Sequence, residues 1–241
     1  MSDHENQTTL FRAEDQKTKY LMAMRFGYYL LWVTVRWIFY FCFFNRVYHP
    51  DRIPQKGPLI LASNHASFMD PPLIGCSINR EIHFLARDSL FRFPIFGQLL
   101  SYINVIPVDR GGRSPKGLKT IIHKLQQGHP VVLFPEGTRC MDGGMQPAKS
   151  GVGLLAIKSD APIVPVRVFG TYQAYGRHLK WPRPGQRIGV KFGEPIYLEA
   201  LREESKTAEK DRLKQIYQEA ADQIMHAVAQ LEAHHDCKRF G

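Results

Sequence analysis

PLILASNHASFMDPPL (58–73) reads as a buried strand, a polar loop and the start of a helix. PLILAS is a continuous apolar run closed by polar residues, the pattern of a strand covered on both faces. Asp70 is a favoured N-cap residue. Pro71 suits the first helical position, because the N–H it lacks would find no partner there. A strand running through a loop into a helix is the half-unit from which α/β domains are built.

Further short apolar runs follow the same design: IHFLAR (82–87), INVIPV (103–108), PVVLFP (130–135), IVPVRVF (163–169) and RIGVKF (187–192). Helix-like stretches at 71–79, 89–101, 114–127 and 149–159 separate several of them. The alternation predicts an α/β fold with a mostly parallel or mixed sheet flanked by helices. Across 206–234, Leu213, Ile216, Tyr217, Ala220, Ile224, Val228 and Leu231 recur at three and four. That spacing predicts a C-terminal helix packed on the sheet.

The 241 residues suffice for one large domain. Four scattered cysteines form no CxxC pair and no zinc spacing, so neither a disulfide framework nor a metal site is expected. The net charge is +10, and it resides in the middle: +2 over 1–50, +10 over 51–198 and −2 over 199–241. A basic middle points to an anionic partner. The chain holds no nucleic-acid-binding motif, and its aromatic N-terminal run argues for a membrane instead.

That run is YLMAMRFGYYLLWVTVRWIFYFCFF (20–44), in which Arg36 is the only charge after Arg25. A central Arg costs roughly 2.5–3.5 kcal/mol on insertion scales, and Trp and Tyr favour the headgroup boundary. These features favour a helix lying in one leaflet over a span, and both over a buried core helix. A polar leader precedes the run and no small-residue cleavage site follows, which argues against a signal peptide. The expected division is a membrane-associated segment at 1–46 and an α/β domain at 47–241.

NHASFMD follows its strand directly, so it sits where open α/β sheets place ligands. A turn between His65 and Asp70 lets the carboxylate reach one imidazole nitrogen and leaves the other facing the cleft. This is the His–Asp half of a catalytic triad, with Ser67 too near in sequence to serve readily as nucleophile. Three more blocks lie at strand ends: VIPVDRGGR (105–113) with Arg110, FPEGTR (134–139) and AKSGVG (148–153) with Lys149. Gly137 permits a tight turn, Thr138 supplies a hydroxyl, and Arg139 offers a planar fork for phosphate. Glu136 can orient a hydroxyl or hold an Arg. Together the blocks suggest one cleft with a base and several phosphate ligands.

In order and spacing, NHASFMD, VIPVDR, FPEGTR and APIVPV (161–166) resemble the blocks of the glycerolipid acyltransferases, specifically the 1-acylglycerol-3-phosphate (lysophosphatidate) acyltransferases. The resemblance spans roughly residues 45–200. It implies that His65 is the general base and Asp70 its partner. Arg110, Glu136, Gly137, Thr138, Arg139 and Lys149 would bind or position a phosphorylated acceptor, and Pro165 would be structural or line the acyl site. Cys140 departs from the Ser common at that position. The implied reaction moves a fatty acyl group from acyl-CoA or acyl carrier protein to a lysophospholipid hydroxyl without an acyl-enzyme, metal or redox cofactor. Backbone N–H groups at the helix after Asp70 are one candidate for the oxyanion site. The implied location is the cytoplasmic face of the cell membrane, as a monotopic or peripheral protein, although a single span is also open. An enzyme acting on glycerol-3-phosphate or another lysolipid, or a non-catalytic lipid-binding protein, would share several of these features. The exposed basic loop RHLKWPRPGQR (177–187) suits anionic lipid or a thioester carrier.

Overall fold

The computed structural model describes residues 26–108 and 115–232. Its strands are β1 (Arg46–Tyr48), β2 (Leu59–Ser63), β3 (Phe84–Arg87), β4 (Val105–Val108), β5 (Pro130–Leu133), β6 (Ile163–Phe169) and β7 (Gly189–Phe192). Its helices are α1 (Phe26–Phe43), then α2 (Asp70–Cys76), α3 (Pro94–Tyr102), α4 (Pro115–Gln126), α5 (Ser150–Ser159), α6 (Thr171–Tyr175), α7 (Glu199–Ser205) and α8 (Lys210–Ala229).

One sheet has the order β1-β7-β6-β2-β5, and a second pairs β3 with β4. All pairings are parallel except β6 with β7. His83 forms a parallel bridge to Val131, which joins the two sheets into one surface. The sheet is therefore mixed, and the antiparallel β7 turns the chain back toward β1.

The apolar run at 59–62 pays for its backbone order by burial on both faces. Leu59 and Leu61 enter one core with Phe39 and Phe43 of α1, Leu73 and Ile74 of α2, and Val164 and Val166 of β6. Ile60 and Ala62 enter the other, with α4 (Ile121, Leu125), α5 (Leu155, Ala156) and α8 (Ile216, Ala220, Ile224). This is the period-two alternation of a central strand in a three-layer α/β domain. Helix α5 packs closely on α8, where a Cβ on Gly153 would overlap the carbonyl oxygen of Tyr217. Only glycine permits that approach.

The expected strands at 58–63, 82–87, 103–108, 130–135 and 187–192 form over shorter spans, because their outer residues enter loops. The run 163–169 pairs along its whole length. The pattern at 206–234 narrows to α8, and α7 precedes it as a separate turn of helix. β1, α6 and α7 carry no strong signal in the sequence: RVY and TYQAY are too short for a period, and EALREES is mostly polar.

By length and composition α1 could cross a membrane. In the structure one stripe of it lies on the domain. Phe39 and Phe43 are buried, Trp32 and Val35 pack beside them, and Trp32 Nε1 donates to the carbonyls of Gly75 and Ile78 at 3.0 and 3.1 Å. Its other faces expose Phe26, Tyr29, Leu30, Trp37, Ile38, Tyr40 and Phe41.

Candidate active site

The parallel register places the ends of β2, β5 and β6 on one edge of the sheet. The loop that leaves β2 is tied down on three sides. Asn64 sits at the end of β2 and pairs across to β6: Val168 N donates to its Oδ1 at 2.8 Å, and its Nδ2 donates to Val168 O at 3.3 Å. Ser67 Oγ donates to Tyr175 O at 2.7 Å, which fastens the loop to α6.

Within this loop Asp70 is fully buried. Its Oδ2 accepts from Ala66 N at 2.6 Å and Ser67 N at 2.7 Å, and meets His65 Nδ1 at 2.9 Å. A carboxylate only accepts, so Nδ1 carries a proton, and in the neutral imidazole Nε2 is then the acceptor. The expected N-cap role of Asp70 is not what the structure shows. Asp70 is the first helical residue, Met69 stands at the cap position, and no side chain caps α2. Pro71 and Pro72 have no N–H to be capped, and Leu73 N already donates to Met69 O at 2.9 Å. With no donor ahead of it, the carboxylate turns back into the loop. The same prolines remove the oxyanion donors expected at the start of α2. Asp70 N is also engaged, with Ser67 O.

His65 is held from below by Phe134, whose ring stacks on the imidazole at 4.0 Å and 20°. Phe134 opens the second loop, which leaves β5. Glu136 is buried there, and both its oxygens take backbone donors: His65 N at 2.8 Å and Gln146 N at 3.0 Å. Burial pushes its carboxyl above the usual carboxylate range, and these two hydrogen bonds pull back. Glu136 thus positions the two loops against each other and has no oxygen turned to a ligand. Cys140 N closes the junction by donating to His65 O at 2.8 Å. The Cys140 side chain is buried, and burial pushes its thiol up.

Gly137 has φ +65, and a Cβ there would lie 3.1 Å from Lys149 Nζ. The turn therefore selects glycine for its left-handed backbone and for the lysine stem lying on it. Lys149 itself stands at the N-cap of α5. Thr138 is half-buried in the same turn. The Arg139 guanidinium lies 3.4 Å above the centre of the Phe68 ring, and its buried Nη1 has no partner among the described residues. Burial first, then the Arg177 charge and, more weakly, Arg87, lower its affinity for the proton, while Asp70 opposes them. A buried guanidinium with an unpartnered nitrogen and further cations acting on it favours an anion there.

The structure thus brings His65, Asp70, Glu136, Gly137, Thr138, Arg139 and Lys149 to one sheet edge. Arg110 lies outside the described residues, two positions beyond the end of β4. The sequence reading had not singled out Phe134, Phe68, Asn64, Arg87 and Arg177 for this cleft. Asn64, Phe68 and Phe134 stood inside the quoted blocks as apparent filler. Arg87 carried a faint signal, as a basic residue closing a strand.

A family model described as Acyltransferase matches residues 45–169. A 1-acyl-sn-glycerol-3-phosphate acyltransferase of Bacillus subtilis is 32% identical over 153 residues, covering 63% of this chain and 73% of that protein. A chloroplastic protein of the same name from Brassica napus is 33% identical over 126 residues, covering 50% of this chain but 36% of that longer protein. Among solved structures, the 1-acyl-sn-glycerophosphate acyltransferase PlsC from Thermotoga maritima superposes with a TM-score of 0.62, over 96% of this chain and 91% of that one, at 23% identity. The two share the fold.

Proposed function

The chain belongs to the acyltransferase family, and on that premise we propose that it moves a fatty acyl group from an acyl thioester to the free hydroxyl of 1-acylglycerol-3-phosphate, making phosphatidic acid. The observation that carries the reading is the buried Asp70 on Nδ1 of His65, which leaves Nε2 as a base beside a guanidinium with an unpartnered nitrogen. The names of the Bacillus and Brassica relatives support the choice of acceptor.

In the proposed reaction Nε2 accepts the proton of the glycerol hydroxyl as its oxygen bonds to the thioester carbonyl carbon. Asp70 holds the ring in that tautomer and stabilises the imidazolium. The tetrahedral intermediate collapses, the C–S bond breaks, and the leaving thiolate takes the proton back from His65. Arg139, with Arg87 and Arg177 near it, holds the acceptor phosphate through charge-assisted hydrogen bonds. The thiol is delivered by coenzyme A or by acyl carrier protein, and the steps call on no metal or redox group.

We further propose that the protein sits on the cytoplasmic face of the cell membrane with α1 lying in one leaflet. The exposed aromatic faces of α1 support this placement. A span would pull Phe39 and Phe43 from the core they help to close.

The test uses purified protein, both donor types and a panel of lysophosphatidate, glycerol-3-phosphate and other lysolipids, with products read by mass spectrometry. Phosphatidate and free thiol should form in equal amounts. Transfer to another acceptor in preference would reassign the substrate, and transfer to none would leave a lipid-binding protein.

A further inference from the structure

Beyond Arg177, the segment RHLKWPRPGQR (177–187) takes no part in the steps above. It links α6 to β7. Because β7 runs antiparallel to β6, with Gly189 opposite Phe169, the link crosses the sheet edge that carries the His65 loop. Its backbone is fastened at several points. Arg183 N donates to Ala174 O at 2.8 Å, Gly185 N to Cys42 O at 2.7 Å, and Ile188 N, just beyond, to Phe43 O at 3.1 Å. Cys42 and Phe43 end α1, so the basic loop and the apolar helix are joined at one corner of the molecule.

Most residues of this loop are exposed. Lys180, Arg183 and Arg187 are exposed, and none of them forms an ion pair among the described residues. Trp181 is 77% exposed. On the adjoining end of α1, Tyr40 and Phe41 are exposed as well, and so is Phe44 just beyond it. Cations around an indole, continuous with an aromatic helix face, match the boundary between anionic headgroups and acyl chains. An acidic carrier protein would use the cations but has no call for a bare indole.

We infer that the 177–187 loop is a second docking contact for an anionic bilayer, continuous with the outer face of α1, which turns the His65 cleft toward the lipid surface. This rests on the membrane placement proposed above. Each surface Lys or Arg adds about fivefold to binding of an anionic bilayer.

The test is sedimentation of the full-length chain with vesicles of phosphatidylcholine alone and of equimolar phosphatidylcholine and phosphatidylglycerol. The triple variant Lys180→Gln, Arg183→Gln, Arg187→Gln should lose partition by on the order of a hundredfold on the anionic vesicles and little on the neutral ones. Trp181→Ala should lose partition on both. The substituted side chains are exposed, and matching thermal melts verify that the fold is kept. Wild-type protein that ignores anionic vesicles would overturn the membrane placement and this inference together. Wild-type binding matched by the triple variant would overturn this inference alone. A triple variant with full partition whose turnover falls only with carrier-protein-bound donor would hand the loop to the carrier instead.

Discussion

Replacing Asp70 by Asn tests whether the carboxylate acts through His65. Three donors converge on Oδ2, from His65, Ala66 and Ser67, and an amide lacks the negative charge that draws them. In Asp70→Asn the oxygen keeps the two backbone N–H groups, and the new NH2 is buried in their company. The amide then either leaves Nδ1–H unpaired or donates to Nδ1 and forces the proton onto Nε2. The first outcome strips the imidazolium of its counter-charge, and the second removes the base facing the cleft. Loss of a general base costs about 10²–10⁴-fold, so kcat with lysophosphatidate should fall by that factor. Stability should fall by about 1–3 kcal/mol, for a buried polar group without a partner. His65→Ala should cost a similar factor in kcat and leave the fold intact. The double variant His65→Ala, Asp70→Asn should be no slower than His65→Ala alone, because residues acting as one unit are not additive. The assay is thiol release under saturating substrates, with urea unfolding beside it. Multiplying losses in the double variant would mean that Asp70 acts elsewhere and would refute the tautomer argument. Asp70→Ala should destabilise more than Asp70→Asn, since it abandons both backbone donors of the loop.

Arg139→Ala should lower kcat/KM for lysophosphatidate by roughly 10–150-fold, the equivalent of one charge-assisted contact, and barely affect a monoacylglycerol of the same chain. Equal losses on both would assign Arg139 to the loop or the donor. Glu136→Ala should cost about 1–3 kcal/mol by stranding two backbone donors and slow turnover although Glu136 turns no oxygen to a ligand; unchanged urea midpoints would contradict its role as a strut. His83 is buried, and burial, with Lys124 and His129, pulls it down to about 4. The unfolded chain therefore binds more protons between there and the ordinary value near ~6.5, so stability should fall as pH drops through that window. His83→Leu should flatten the drop in melting temperature between about pH 7 and about pH 5, and a slope equal to wild type would point to other groups. Trp37→Ser with Phe41→Ser, on the exposed face of α1, should shift the protein from membrane to soluble fractions while sparing the core. Deleting residues 1–46 is a poorer test, because it also strips Phe39 and Phe43 from the core.

Local chemistry determined much of this protein. The run 163–169 is apolar except for Arg167, and it pairs throughout. Spacing at three and four placed Ile216, Ala220, Ile224 and Val228 on the buried face of α8. A five-residue separation and a strand behind it were enough to pair His65 with Asp70. These are short-range properties, set by backbone period and by what a loop can reach. The tertiary structure decided whatever depends on which groups are left over when distant segments meet. Asp70 looks like a helix cap until Pro71, Pro72 and Leu73 are seen to offer it no free donor, and then its carboxylate turns to the loop. Glu136 looks like a ligand until the N–H groups of His65 and Gln146 occupy both its oxygens. Arg87 and Arg177 lie far from Arg139 in the chain and come near it only because parallel strands bring their carboxyl ends to one edge. No sequence period encodes that meeting, since it is fixed by strand order and by the burial that holds the strands together.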